Sequence, residues 1–234
     1  MRFLYILFAV LLIGCGSVGK KEKRGLIIPA YFYNESLWER VVYAPIDEIV
    51  IINPANGPGS SKDENYEKFI SDLTAHDKRP VGYVYTKWGD RDIDLVKDDI
   101  DTWIEFYPQI EGFFLDEAAS GADKLGYYEN IYDYIKSQGK FFVVLNPGTM
   151  PISAYFDISD NIVVYEGEAK NLTHESCKTY ADKSSIIVYN ATEEQMREII
   201  ATKHCKYLYI TDENDSNPYD DLPSYFEEEI EALK

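Results

Sequence analysis

The sequence has little of what metal-based and nucleophile-based chemistries need. Only three of its 234 residues are histidine and three are cysteine. His76, His174 and His204 fall in helical or loop patterns, so there is no HExxH, no Asp/His metal cluster and no Ser-His-Asp arrangement. Cys177 and Cys205 have neither CxxC nor Cys/His spacing around them, which argues against zinc. Positive charge is scarce as well: 23 Lys and Arg face 41 Asp and Glu, for a formal charge of −18. Such a chain repels phosphates, so no nucleic-acid partner is expected. The same acidity suits neutral or cationic ligands, although it also serves plain solubility. Neither GxGxxG nor GxxxxGK[ST] occurs where a nucleotide fold would need it, and no cofactor or metal is expected.

Long hydrophobic runs are also missing, apart from one at the start. Phe3–Ile13 follows Arg2 and is of signal-peptide length, too short to cross a bilayer comfortably. It ends in Leu12-Ile13-Gly14-Cys15, which looks like a bacterial lipobox. Residues 1–14 therefore read as a lipoprotein signal peptide, Cys15 as the lipid attachment site and residues 15–24 as a flexible tether. This predicts a cell-envelope protein on the periplasmic or cell-surface face. An ordinary signal peptide with an incidental cysteine is the alternative. Outside the cytoplasm Cys177 and Cys205 are free to pair. A disulfide between adjacent outer helices and two separate buried thiols both fit the sequence.

From residue 25 to 234 the chain alternates short β-rich runs with helical patterns, the signature of parallel α/β structure. Strands are expected at Leu26–Phe32, Glu48–Asn53, Val81–Thr86, Gly112–Glu117, Phe141–Asn146, Ile162–Glu166, Ile186–Asn190 and Tyr207–Asp212. Helical stretches include Tyr66–Ala75, Ile93–Phe106, Tyr127–Ser137, Glu193–Thr202 and Ser224–Leu233. Ile93, Val96, Ile100, Trp103, Ile104 and Tyr107 recur at helical spacing. Periodicity does not report closure, so an open doubly wound sheet shares this pattern. Eight compact units fit a single (β/α)8 TIM barrel better. No linker marks a second domain, and a monomer is expected.

In such a barrel the chemistry sits at the C-terminal ends of the strands. There the sequence places Tyr31, Asn53, Tyr83, Tyr85, Trp88, Asn146, Tyr189 and Asp212, together with three acids that follow apolar runs. Phe113-Phe114-Leu115 leads into Asp116-Glu117, and Ile162-Val163-Val164 leads to Glu166 through Tyr165. A carboxylate in such a setting is costly unless it is partnered or functional. Capping of the next helix, or pairing with Lys87 and Arg91, is the structural alternative. Regular strand geometry keeps Asp116 and Glu117 from both facing inward. Carboxyl chemistry without a metal is what glycoside hydrolysis uses. Tyrosine, at 20 residues against 11 phenylalanines, fits sugar-facing surfaces, where its ring stacks on a sugar while its hydroxyl bonds the edge, but a barrel core uses it too, so composition alone decides little.

At these positions the chain resembles the spherulin-4 family of glycoside-hydrolase-like barrels. The segments that carry the likeness are Ile28-Pro29-Ala30-Tyr31, Ile52-Asn53-Pro54 with Gly57-Pro58-Gly59, and Gly82-Tyr83-Val84-Tyr85-Thr86 with Gly89 and Arg91. They continue in Phe113–Glu117, Asn146-Pro147-Gly148, Tyr165-Glu166-Gly167, Thr211-Asp212, Asn217-Pro218-Tyr219-Asp220 and Leu222-Pro223-Ser224-Tyr225. The resemblance implies cleavage of α-1,4-linked galactosamine or N-acetylgalactosamine exopolysaccharide, with Asp116, Glu117 and Glu166 as the family's acids. Asp116 is the expected nucleophile and Glu166 the expected acid/base, with Glu117 in support. Lys87-Trp88 departs from the smaller or uncharged residues of many relatives, and a cation there would disfavour an amine-bearing sugar. A non-catalytic polysaccharide-binding or structural surface lipoprotein on the same fold is the competing reading. Cys15→Ser should move the exported protein out of the membrane fraction; unchanged partitioning would rule out the lipid anchor.

Overall fold

The computed structural model describes residues 23–173, 177–214 and 217–234. Cys15, the segment 1–14, most of the 15–24 tether and His174 lie outside the described residues. Eight strands close into one parallel barrel in sequential order. They are β1 (Gly25–Ala30), β2 (Glu48–Ile52), β3 (Arg79–Tyr85), β4 (Gly112–Asp116), β5 (Phe142–Leu145), β6 (Asn161–Glu168), β7 (Ser184–Tyr189) and β8 (Tyr207–Ile210). Most of their residues are buried, as expected where helices cover one face and the packed barrel interior the other. The α-helices among the described residues are α1 (Glu35–Val42), α2 (Glu64–Ala75), α3 (Ile93–Phe106), α4 (Leu125–Gln138), α5 (Glu193–Thr202) and α6 (Phe226–Leu233).

Helix starts follow their capping chemistry. Asn34 and Asp63 accept backbone N–H groups at the heads of α1 and α2, and Thr192 with Gln195 forms a reciprocal capping box on α5. α3 presses so closely on β3 that a Cβ at Gly82 would lie 2.6 Å from the Trp103 ring. The indole then donates to the Tyr83 carbonyl at 2.9 Å, which locks the helix to the strand. Hydrophobic spacing does not mark α1, because only Trp38, Val41 and Val42 of its short span are buried.

The barrel is irregular around β6. The β5–β6 connection contains only a 3-10 turn at Ser153–Asp157. The β6–β7 connection likewise has 3-10 turns, at Ala169–Asn171 and Ala181–Lys183, and no α-helix among its described residues. β6 runs on to Glu168 and carries a bulge, where Val163 pairs with Ser185 and Tyr165 with Ile186. A bulge changes which face the following side chains take. Cys177 and Cys205 form a disulfide with Cα atoms 5.1 Å apart, but it joins the β6–β7 and α5–β8 loops rather than two helices. The start of the described chain is tied to the opposite end from the strand C-termini. Arg24 donates to the carbonyls of Ile200 and Lys203 at 2.7 and 2.8 Å, and Lys206 donates to the Lys23 carbonyl at 2.6 Å.

β8 meets β1 through only Gly25–Tyr207 and Leu26–Leu208, so the upper part of this seam is open. The Glu229 carboxyl of α6 fills in, accepting the Ile210 N–H at 2.9 Å. Glu229 is fully buried and its other oxygen lacks a hydrogen-bond partner. Burial holds its pKa well above the ordinary carboxylate range, with the Ile210 bond acting weakly the other way. A carboxyl raised in the folded state stabilises fully below the unfolded value of about 4.3, and that stability is lost as pH rises through the folded value. Glu229→Gln keeps an acceptor for Ile210 without a charge. The variant should match or exceed the parent's unfolding midpoint at pH 9 and show a flatter pH dependence. Each unit of native shift removed is worth about 1.4 kcal/mol. A variant less stable than its parent at pH 9 would count against this account.

Candidate active site

The site is built at the C-terminal ends of β3 to β6. Asp116 is the last residue of β4, and it accepts hydrogen bonds on both oxygens. Tyr83 donates its hydroxyl to Oδ2 and Asn146 donates Nδ2 to Oδ1, each at 2.7 Å. The same Asn146 nitrogen donates to Glu166 Oε2 at 2.6 Å. One amide group, placed just after β5, therefore bridges an acid from β4 and an acid from β6. Its orientation is set by the Gly148 N–H, which donates to Asn146 Oδ1 at 3.1 Å. Because the two carboxyl oxygens share one nitrogen, they can be no farther apart than two hydrogen-bond lengths.

Glu166 is held from its other side by Tyr219, whose hydroxyl donates to Oε1 at 2.6 Å. Tyr219 follows β8 in a loop. Its importance is visible in sequence only as part of the Asn217–Asp220 segment, not from any strand-end position. Desolvation, and then the negative charge of Asp116, raise the Glu166 pKa, while the bonds from Tyr219 and Asn146 favour its ionised form. Tyr31 packs edge-on to both Tyr83 and Tyr219, with centroids 6.0 and 5.8 Å away. Three tyrosine rings thus form one wall beside the two acids.

Glu117 escapes the alternation rule because its backbone leaves the strand, with φ at +48°. A non-glycine residue in this region is strained and persists only where its surroundings fix it. Here the fixing contacts reach its carbonyl, which accepts from Trp88 N–H at 2.6 Å and Thr86 Oγ1 at 2.9 Å. Its Oε2 is buried without a hydrogen-bond partner. Desolvation and then Asp116 raise its pKa, partly offset by Tyr85 and Lys87. Lys87, Trp88 and Gly89 all have positive φ, and this tight turn leaves the Trp88 ring 56% exposed at the rim. Tyr189 ends β7, half-buried and near enough to Tyr219 to influence it electrostatically.

Two of the expected lining residues are engaged elsewhere. Asn53 accepts the Gly57 N–H at 2.9 Å and shapes the loop after β2. Asp212 lies beyond the end of β8 and accepts from both the backbone and the hydroxyl of Ser224, which delays the start of α6 to Phe226.

A closed parallel barrel with a carboxyl pair at its C-terminal mouth defines a glycoside-hydrolase-like barrel. Residues 25–233 match spherulation-specific family 4, and the chain belongs to this family. It is 36% identical over 230 residues to Spherulin-4 of Physarum polycephalum, covering 89% of this chain and 69% of that protein. Among solved structures it is similar to Aspergillus clavatus Sph3 in complex with GalNAc, with a TM-score of 0.77, 23% identity, and 90% and 97% of the two chains covered. Dispersin B shares the barrel at a TM-score of 0.54 and 7% identity, with 90% and 97% covered. A maltogenic α-amylase of Thermotoga neapolitana follows at 0.58 and 12%, with 89% and 75% covered. These structural likenesses bear on the fold.

Tyr219→Phe removes a donor that favours the Glu166 carboxylate. Carbon-detected nuclear magnetic resonance of the Glu166 carboxyl should show its titration moving to higher pH. An unchanged or lower midpoint would contradict the hydrogen-bond assignment.

Proposed function

We propose that the protein is an endo-acting glycoside hydrolase that cuts an α-1,4-linked galactosamine/N-acetylgalactosamine exopolysaccharide with retention of configuration. We further propose that it works at the bacterial cell envelope, held by a lipid on Cys15. The observation that carries the catalytic reading is the Asn146 amide shared by Asp116 and Glu166, which brings one oxygen of each acid within two hydrogen-bond lengths of the other and so favours a retaining pair. Family membership and the barrel shared with Sph3 support the polysaccharide class.

In this mechanism Asp116 attacks the anomeric carbon, and the bond to the departing glycosidic oxygen breaks. Glu166 gives its proton to that oxygen, a role suited to a carboxyl whose pKa is raised. Water then attacks the same carbon while Glu166, now a carboxylate, takes a proton from that water, and the bond to Asp116 breaks to release the free carboxylate. Tyr83 and Asn146 orient the nucleophile, while Tyr219 and Asn146 orient the acid. Glu117 adds negative potential beside a transition state with oxocarbenium character. Tyr31, Tyr85, Trp88 and Tyr189 offer rings or hydroxyls to the sugars around the cleavage point.

Asp116→Asn and Glu166→Gln should each lower turnover of purified galactosamine-containing exopolysaccharide by orders of magnitude, roughly 10²-fold or more, with the barrel still folded. Released fragments are read by mass spectrometry and the first-formed reducing end by nuclear magnetic resonance. An α-anomer is expected; a β-anomer formed first from an α-linked polymer would overturn retention, and full activity in either variant would overturn the assigned roles.

A further inference from the structure

Where no α-helix flanks β6 among the described residues, the side of the barrel keeps an open groove of about 630 Å³ that runs from Gly148 near the mouth toward Tyr180 beside the start of β7. Met150, Pro151, Tyr165 and Tyr180 form apolar and aromatic walls, and Thr149 and Thr179 add hydroxyls. Both rings are held in place. Tyr165 donates to the Glu168 carbonyl at 2.7 Å. Tyr180 stacks on Phe156 with centroids 4.1 Å apart and ring planes 16° apart. Its backbone is left-handed at φ +57°, and the nearby Cys177–Cys205 disulfide ties down the same loop. Even so, Tyr180 remains 41% exposed. A fixed, strained and exposed ring above a groove is arranged for contact rather than for core packing.

The groove adjoins the catalytic acids through Gly148. This residue lines the groove, accepts the Glu166 N–H at 3.2 Å, and would place a Cβ 3.6 Å from that of Glu166. A polymer passing Glu166 on this side enters the groove next. The two places differ in charge. The mouth holds Asp116, Glu117 and Glu166, whereas the described residues lining the groove include one cation, Lys178, and no carboxylate. An ammonium group would find a counter-charge in the mouth and none among the described residues of the groove. An acetamido sugar instead offers a methyl group to the apolar wall and polar edges to the threonines.

We propose that this groove is a second sugar subsite, taking an N-acetylated hexosamine unit of the polymer whose neighbouring units lie at Asp116 and Glu166. The proposal rests on the glycosidase reading above, and the test separates the two. In a Glu166→Gln background, which blocks turnover, binding is measured by calorimetry. The ligands are a long α-1,4-linked N-acetylgalactosamine oligosaccharide and its fully deacetylated counterpart. Adding Tyr180→Ala should weaken binding of the acetylated oligosaccharide about ten-fold, equivalent to about 1.4 kcal/mol, and that of the deacetylated one by less than about two-fold. Tyr180→Phe keeps the ring and should stay within about two-fold of the parent background, with an unchanged unfolding midpoint. Equal affinity of the Tyr180→Ala protein and its parent for the acetylated oligosaccharide would overturn the subsite and leave the glycosidase reading standing. So would a Tyr180→Phe protein as weak as Tyr180→Ala. Failure of the parent to bind either oligosaccharide, with no cleavage by the wild-type protein, would overturn both.

Discussion

Two carboxyl groups brought close together in a half-buried pocket repel each other, and the site rests on the amide that lies between them. Asn146 donates from one nitrogen to Asp116 and to Glu166. Its own backbone is pinned along β4 and the turn after it, donating to the Leu115 carbonyl and accepting from the Ala118 N–H. The barrel is what makes this possible. Parallel neighbours β4, β5 and β6 end at one mouth, so three strand-end side chains meet with the amide in the middle. The bulge at Val164 and the Gly148 turn then set how Glu166 approaches it. Hydrogen bonds in such a network are worth more together than singly, and a missing member leaves a buried charge without support.

Much of this was legible in the residues. Apolar runs that end in acids marked β4 and β6, and the stripe from Ile93 to Tyr107 marked α3 at the observed Ile93–Phe106. The reason is that both strand burial and helix amphipathicity leave a period in the sequence. Loops leave none. Tyr219 reaches Glu166 from the loop after β8, and no local pattern predicts where such a loop folds back. Asp212 looked like a lining residue from its place after an apolar strand, yet its short side chain is taken up by Ser224. The missing crossover helices were equally hard to see. 3-10 turns bury too few residues to leave a periodic trace.

Strain in the backbone gathers in the connections that leave the strands, and at Lys87, Trp88 and Glu117 it falls at the mouth itself. Left-handed non-glycine residues occur at Asn56, Lys87, Trp88, Glu117, Cys177, Tyr180 and Asn190, all in segments that follow strand C-termini. Asp77, between α2 and β3, is the exception. The apolar barrel supplies the stability against which these segments are held. Glu117 shows how it is spent: leaving the strand path frees its side chain from alternation, so that neighbouring acids serve one pocket.

The tie between Arg24 and the end of α5 fixes more than the first strand. Lys23 and Arg24 are fastened by three hydrogen bonds at the pole opposite the mouth. Any force applied through the leading segment therefore reaches the base of the barrel as a moored hull takes strain at its bow. A pull on Lys23 is thus borne by the pole that faces away from the acids.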